Sequence, residues 1–432
     1  MLSSVRPKLL SPPVLMAAGL GVFGLAGYLF VTLTSRTLVT SEALRATNFY
    51  FVVNVVGPGI FFALEQVTSR SVSAAVASGH ALRPVVRKTC IGGAALVGVV
   101  MAGLLLMSPY LLPNTLYGDW GLFLGVLATP AILAALSIVR GALGGLQRFT
   151  GYAVSLMVEG GARIVVVSLL VFGHVSSAWV FGIGYLASSL VAVGAGLLWL
   201  RAAPSGGDDR VPGEVPLLTK ALAALATASL LAQLLPNLAP LMVSSRLGEG
   251  SVVALAFAQA VVVARIPQLA FFPVQTMLLP ALTAAVTRGD FAFVKRRIML
   301  TLGAVTAVGL VYSVLFVLVG SWVLRVFMAT DTSTLTALVM GLLAFGTVVL
   351  IGVFAVQPAL VAMGHDRTIT IAWAIGTAST FGFALLPGDV PTMAAAAQVV
   401  GPALTLLVIL VSFFRLSAAA QQRSDAVAAA ER

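Results

Sequence analysis

Long apolar runs alternate along this chain with short polar clusters, and each run is about as long as a bilayer crossing. A helix spans the hydrocarbon core in about 20 residues. The pattern predicts twelve spanning helices: 13–33, 46–67, 89–111, 120–139, 151–173, 178–200, 219–243, 252–284, 298–324, 334–362, 368–386 and 392–414. The eighth carries Pro267, Pro273 and Pro280, and proline removes a backbone donor, so this span is predicted bent or unwound. Gly57-Pro58-Gly59 in the second span and Pro236-Asn237-Leu238-Ala239-Pro240 in the seventh mark further expected bends. The first run is too long for the apolar core of a signal peptide, and no small-residue cleavage site follows it.

Composition agrees with a chain covered by lipid. Of 432 residues, 59% are hydrophobic and 9% charged, and the mean hydropathy is +1.07. A soluble domain carries roughly 25% charged residues. The net charge of +11 does not indicate nucleic acid, because the basic residues sit in short loops between apolar runs, where they orient the protein and meet anionic headgroups. Alternate loops and the termini hold 19 of the 25 Lys and Arg, among them Arg6, Lys8, Arg83, Arg87, Lys88, Arg140, Arg148, Arg201, Arg210, Arg297, Arg367, Arg415 and Arg432. The intervening loops hold four: Arg36, Arg45, Arg246 and Arg325. This bias predicts that both termini are cytoplasmic.

Ala202–Leu217 is the one long polar connection, rich in Pro, Gly and Asp. It divides the expected architecture into an N-terminal six-helix bundle (1–201), a cytoplasmic linker (202–217), a C-terminal six-helix bundle (218–416) and a cytoplasmic tail (417–432). The halves match without gaps at an offset of 210 residues. TSRTLVTS (34–41) lies over SSRLGEGS (244–251), and FFALEQVTSRSVSAAVASGH (61–80) over FFPVQTMLLPALTAAVTRGD (271–290). Pairs such as Arg36/Arg246, Gly79/Gly289 and Arg87/Arg297 fall in register. A shift of six spans preserves orientation, so the expected fold is all-α, with two parallel-repeat six-helix bundles around a central cavity.

The segment within 257–297 that reads ARIPQLAFFPVQTMLLPALTAAVTRGDFAFVKRR resembles the eighth span and following loop of the multidrug/oligosaccharidyl-lipid/polysaccharide exporter superfamily. RGALGGLQRFTGYAVSLMVEGGAR (140–163) is similar to the fourth loop and fifth span of its polysaccharide-transporter branch. The duplicated six-span halves agree with that superfamily. The first span lacks the acidic residue that many of its drug/cation antiporters keep there.

A charge inside a span is costly in lipid and marks a candidate transport path. Four residues qualify: Glu65, Glu159, Arg163 and Arg265. Glu159 and Arg163 stand at i and i+4, so they can pair, either as a self-neutralising couple or as a cavity pair whose arginine is released to an anion. Arg265, just before Pro267, has no acidic residue one turn away; it calls for a watery cleft, an anionic cargo or an acid on another helix. A guanidinium forks onto phosphate. Arg163, Arg265, Arg70 and Glu159 are therefore the substrate-binding candidates. Glu65 and Glu159 are the ion-coupling candidates, while Arg36 and Arg246 are repeat-related rim residues whose plain role is anchoring at the interface.

The lone Cys90 and the scattered His80, His174 and His365 offer no metal spacing. No phosphate-binding loop or catalytic constellation is present, so neither an enzyme nor a cofactor is expected. The resemblance implies an alternating-access flippase in a bacterial-type cell membrane. It would move a polyprenyl-pyrophosphate-linked oligosaccharide, a cell-surface polysaccharide precursor, to the outer leaflet. Its implied partners are that lipid-linked cargo, membrane lipids, a coupling cation (H+ or Na+) and polysaccharide-assembly proteins. The alternative is an ion-coupled exporter of small or multiple drugs, with Glu65 or Glu159 as the ion carrier.

Overall fold

The computed structural model describes residues 12–79, 81–201, 220–330 and 334–430. His80, the expected linker 202–217 and the basic residues Arg6, Lys8, Arg210 and Arg432 lie outside the described residues. Within them the fold is all-α, as a lipid environment requires of a chain that must satisfy each backbone donor and acceptor internally. The helices are α1 (Pro12–Thr37), α2 (Thr40–Val56), α3 (Phe62–Ala77), α4 (Leu82–Leu106), α5 (Ser108–Asn114), α6 (Trp120–Gly145), α7 (Phe149–Phe172) and α8 (Ala178–Arg201). The second half contributes α9 (Lys220–Leu247), α10 (Val252–Ala264), α11 (Ile266–Thr287), α12 (Phe291–Met328), α13 (Ala337–Ala362), α14 (Asp366–Ala384) and α15 (Val390–Ala430).

Eleven of the described helices are long and apolar enough to cross a membrane, with α2 and α3 forming one continuous 38-residue rod. The twelfth expected span is α14, 19 residues long. Hydroxyl residues dilute its hydropathy, but Thr370, Ser379 and Thr380 donate to the carbonyls of Asp366, Ile375 and Gly376 one turn back, so they add no unmet polar group. Two helices run past their apolar segments. At about 1.5 Å per residue, the 38 residues of α12 reach far beyond a hydrocarbon core about 30 Å thick. Lys295, Arg296 and Arg297 occupy its N-terminal end. α15 continues through the tail to Ala430.

The chain divides into two compact units, one of residues 1–233 and 244–255, the other of 234–243 and 256–432. Each repeats the same set of helix pairings. In the first unit α6 packs on α3, α4 and α8, and α7 on α1 and α8. In the second, α13 packs on α11, α12 and α15, and α14 on α15. The remaining pairing, α7 with α1, has its counterpart where Leu235 of α9 lies against Gly376 of α14.

The repeat extends to the breaks in the helices. Between α2 and α3 the chain widens into a π-helical turn over Gly57–Phe61. At the 210-residue offset Gly57 corresponds to Pro267, and the eighth span is broken beside it, at Arg265. Pro267 has no N–H for the carbonyl of Val263; the Tyr312 hydroxyl of α12 donates to Val263 O (3.3 Å) and Ala264 O (3.2 Å) instead. The bend expected of the eighth span is thus located.

Helices close on one another through glycine. A Cβ on Gly160 of α7 would lie 2.8 Å from the backbone of Val22 in α1, whereas one on its neighbour Gly161 would meet nothing within 4 Å. Gly160→Ala is expected to lower stability by about 1–3 kcal/mol through overpacking. Gly161→Ala should leave it unchanged or raise it by up to about 1 kcal/mol, because alanine is the better helix former. Thermal unfolding of the two purified variants in one detergent checks this contrast.

Candidate functional site

The most polar interior point of the first unit is built on Glu159. Its Oε2 accepts from Nη2 of Arg140 (2.7 Å) and its Oε1 from Nη2 of Arg163 (2.9 Å) and the Ser189 hydroxyl (2.7 Å). Arg140 also donates to the hydroxyl and carbonyl of Ser155, both at 3.2 Å. Arg163 donates to Ser188 (3.3 Å) and lies 3.7 Å above the Tyr185 ring and 5.2 Å from that of Phe23. The cluster therefore ties together α1, α6, α7 and α8. Arg163 and Glu159 are each 2% exposed. At that depth a charge must be paired, and the aromatic faces add cation–π attraction.

Glu65 stands nearby on α3. It accepts a 2.6 Å hydrogen bond from the Tyr152 hydroxyl and makes no salt bridge among the described residues. With Arg140 counted, two acids and two guanidiniums meet in this region, Arg140, Glu159 and Arg163 buried and Glu65 half-buried, and their formal charges cancel.

Arg140 corrects the sequence reading, which placed it with Arg148 in a cytoplasmic loop. It is 7% exposed and lies within α6, which continues to Gly145. The predicted span was ended at 139 by the arginine itself. The apolar run on both sides, SIVRGALGG, was the signal that the helix continues through it. Ser188, Ser189, Tyr185 and Tyr152 were also missed, since hydroxyl and aromatic residues are common in spans and carry no mark of which helix they face.

In the second unit a proline creates the polar point. Pro240 cannot donate to Pro236 O one turn earlier. That carbonyl instead accepts from Nη2 of Arg265 and from Nε2 of Gln398 (2.7 Å). Arg265 also donates to Asn237 Oδ1 (2.9 Å). The Pro-Asn-Leu-Ala-Pro motif thus binds the arginine of the broken eighth span within an unbroken α9.

A third polar group lies where α1 gives way to α2. Arg45 pairs with Glu42 (2.6 Å) and Glu249 (2.5 Å), and Glu42 also caps the N–H of Ala178 (2.7 Å). Buried Asn48 donates to Thr115 O (2.8 Å) and the Ser244 hydroxyl (2.6 Å), and the Tyr117 hydroxyl donates to Ser244 O (2.8 Å). Burial pushes the Tyr117 phenol above its ordinary pKa, so it remains a donor. Arg70, Arg36 and Arg246 are exposed.

Solved structures share this arrangement of helices. An inward-facing multidrug resistance MATE family transporter of the MOP superfamily superposes with a TM-score of 0.72 over 93% of this chain and 96% of its own, at 13% identity. The chain has the fold of the MATE transporters. A MATE transporter of Vibrio cholerae matches with a TM-score of 0.64 at 14% identity, covering 96% of this chain and 97% of that one. A MOP superfamily transporter of Pyrococcus furiosus, described as having a binding pocket of reversed polarity, matches at 0.61 and 15% identity over 95% and 96%. No family model and no curated protein matches the sequence. The likeness is one of fold: these solved structures are described as MATE or MOP superfamily transporters, and the polysaccharide branch resembled in sequence is not shown by them.

The proline-made acceptor has a measurable signature. Arg265→Ala should cost about 1–3 kcal/mol, as expected when a buried carbonyl loses a charged donor. Pro240→Ala supplies an N–H to Pro236 O, so the same Arg265→Ala change in that background should cost less, with a coupling of about 0.5–3 kcal/mol. A double-mutant cycle on thermal stability measures it, and additive changes would show that the carbonyl and the arginine are not linked.

Proposed function

We propose that this chain is an ion-coupled membrane exporter of small organic molecules, working by alternating access in a cell membrane with both termini cytoplasmic. The observation that carries this reading is the match in fold, nearly end to end, with a multidrug resistance transporter. It reverses the order of the two readings drawn from sequence. The flippase reading rested on Arg163 and Arg265 as pyrophosphate ligands. Arg163 is buried against Glu159 and Tyr185, and Arg265 is engaged by Pro236 and Asn237.

A coupling carboxylate has to exchange its ion during transport. Glu159 is held by two guanidiniums and a hydroxyl, an arrangement that suits a structural anion. Glu65 faces the neutral hydroxyl of Tyr152, so a proton or sodium ion can come and go there without breaking a salt bridge. We assign coupling to Glu65, with H+ or Na+ as the ion, and the absence of a nucleotide-binding motif fits a gradient as the energy source.

The test is ethidium transport in proteoliposomes under an imposed proton or sodium gradient. Wild type should transport with one of the gradients. Glu65→Gln should transport at least about tenfold more slowly, the change produced by some 1.4 kcal/mol in barrier, while eluting as a folded protein. Absence of ethidium movement under either gradient, together with translocation of a fluorescent polyprenyl-pyrophosphate oligosaccharide, would restore the flippase reading.

A further inference from the structure

An apolar groove of about 680 Å³ lies between α3, α4, α6 and α8 of the first unit, within the range of ordinary ligand sites. Its walls include Val86, Cys90, Ala135, Ile138, Val193 and Leu197, and no wall residue is charged. Gly93 and a run of alanines on α6 give it depth. On α4 the wall extends from Leu82 to Val97, about 22 Å at 1.5 Å per residue, which exceeds one leaflet's half of a hydrocarbon core about 30 Å thick.

One end of the groove is marked by charge. Counting about 100° per residue around α4, its wall residues cover an arc of about 120°. Arg83 falls inside that arc and Arg87 at its edge, whereas Lys88 projects from the far side. Arg201 closes α8 one residue beyond the wall residue Leu200. All of these basic residues are exposed. At the same end Val72, Ala75, Val85 and Ala142 pack with Leu82, Leu146 and Leu200 as one apolar cluster.

We propose that this groove is a binding site for one anionic glycerophospholipid, with an acyl chain lying along the apolar walls and the phosphate held by Arg83 and Arg87. A guanidinium offers two parallel donors to a phosphate, and the lipid's negative charge complements an end that carries arginines and no acid among the wall residues. The proposal is independent of what the protein transports, since none of the groove residues belongs to the Glu159 or Arg265 clusters.

Native mass spectrometry of the full chain, released from detergent containing equal amounts of phosphatidylglycerol and phosphatidylcholine, tests it. One phosphatidylglycerol per chain should be retained in preference to phosphatidylcholine. Arg83→Gln/Arg87→Gln should reduce that preference by about tenfold, and Lys88→Gln should leave it unchanged. Ala135→Phe, which fills the groove, should remove the retained lipid, and alkylation of the single cysteine, Cys90, with a long-chain maleimide should do the same without a mutation. Equal retention of the two lipids would overturn the proposal. So would retention unaffected by the arginine pair or by filling the groove, or displacement of the phosphatidylglycerol by equimolar polyprenyl phosphate.

Discussion

One carboxylate, Glu159, holds two guanidiniums inside the first unit, and the surrounding packing is arranged about it. Arg140 arrives from α6, Arg163 from one turn further along α7, and Ser188 and Ser189 from α8. In lipid each of these charges alone is costly; together they form a hydrogen-bonded group whose members satisfy one another. Gly160, next to Glu159, brings α1 close enough for Phe23 to reach the Arg163 guanidinium. The polar group and the helix contact are consequences of the same few residues.

The second unit meets the same constraint by a different route. Its interior is organised by backbone carbonyls that prolines have released: Pro236 O by Pro240, and Val263 O by Pro267. Each is answered by a side chain from another element, Arg265 and Gln398 for the first and Tyr312 for the second. Irregular backbone at membrane depth persists only where protein or water satisfies it. The two halves have helix breaks at nearly corresponding positions, the turn over Gly57–Phe61 and the break at Arg265.

Span positions were legible because the bilayer imposes a length on each apolar run, and the repeat was legible because Arg36/Arg246 and Gly79/Gly289 keep their spacing. The extensions of α12 and α15 were not, since polar residues such as Lys295 and Gln421 mark the edge of the lipid and say nothing about where the helix stops. Arg140 is hidden for a related reason: in sequence a charge marks the end of a span, and here it forms an internal bond. Glu159 and Arg163 were visible as an i,i+4 pair. Their partners on α8 were not, because a helix apolar on all sides does not disclose which face meets its neighbour. Small-molecule cargo is proposed on the match in fold, and the buried partners of Arg163 and Arg265, which sequence does not disclose, weigh on the same side.

The central structural claim is that Glu159 is the counter-ion of a closed group and Glu65 is not. Its most direct test is the thermal stability of Glu159→Gln beside Glu65→Gln in the same detergent. Loss of the shared carboxylate leaves two buried guanidiniums uncompensated and should cost about 3–5 kcal/mol, whereas Glu65→Gln should change stability by less than about 1 kcal/mol, since the glutamine carbonyl still accepts from Tyr152. Equal losses in the two variants, or a Glu159→Gln protein as stable as wild type, would contradict the account.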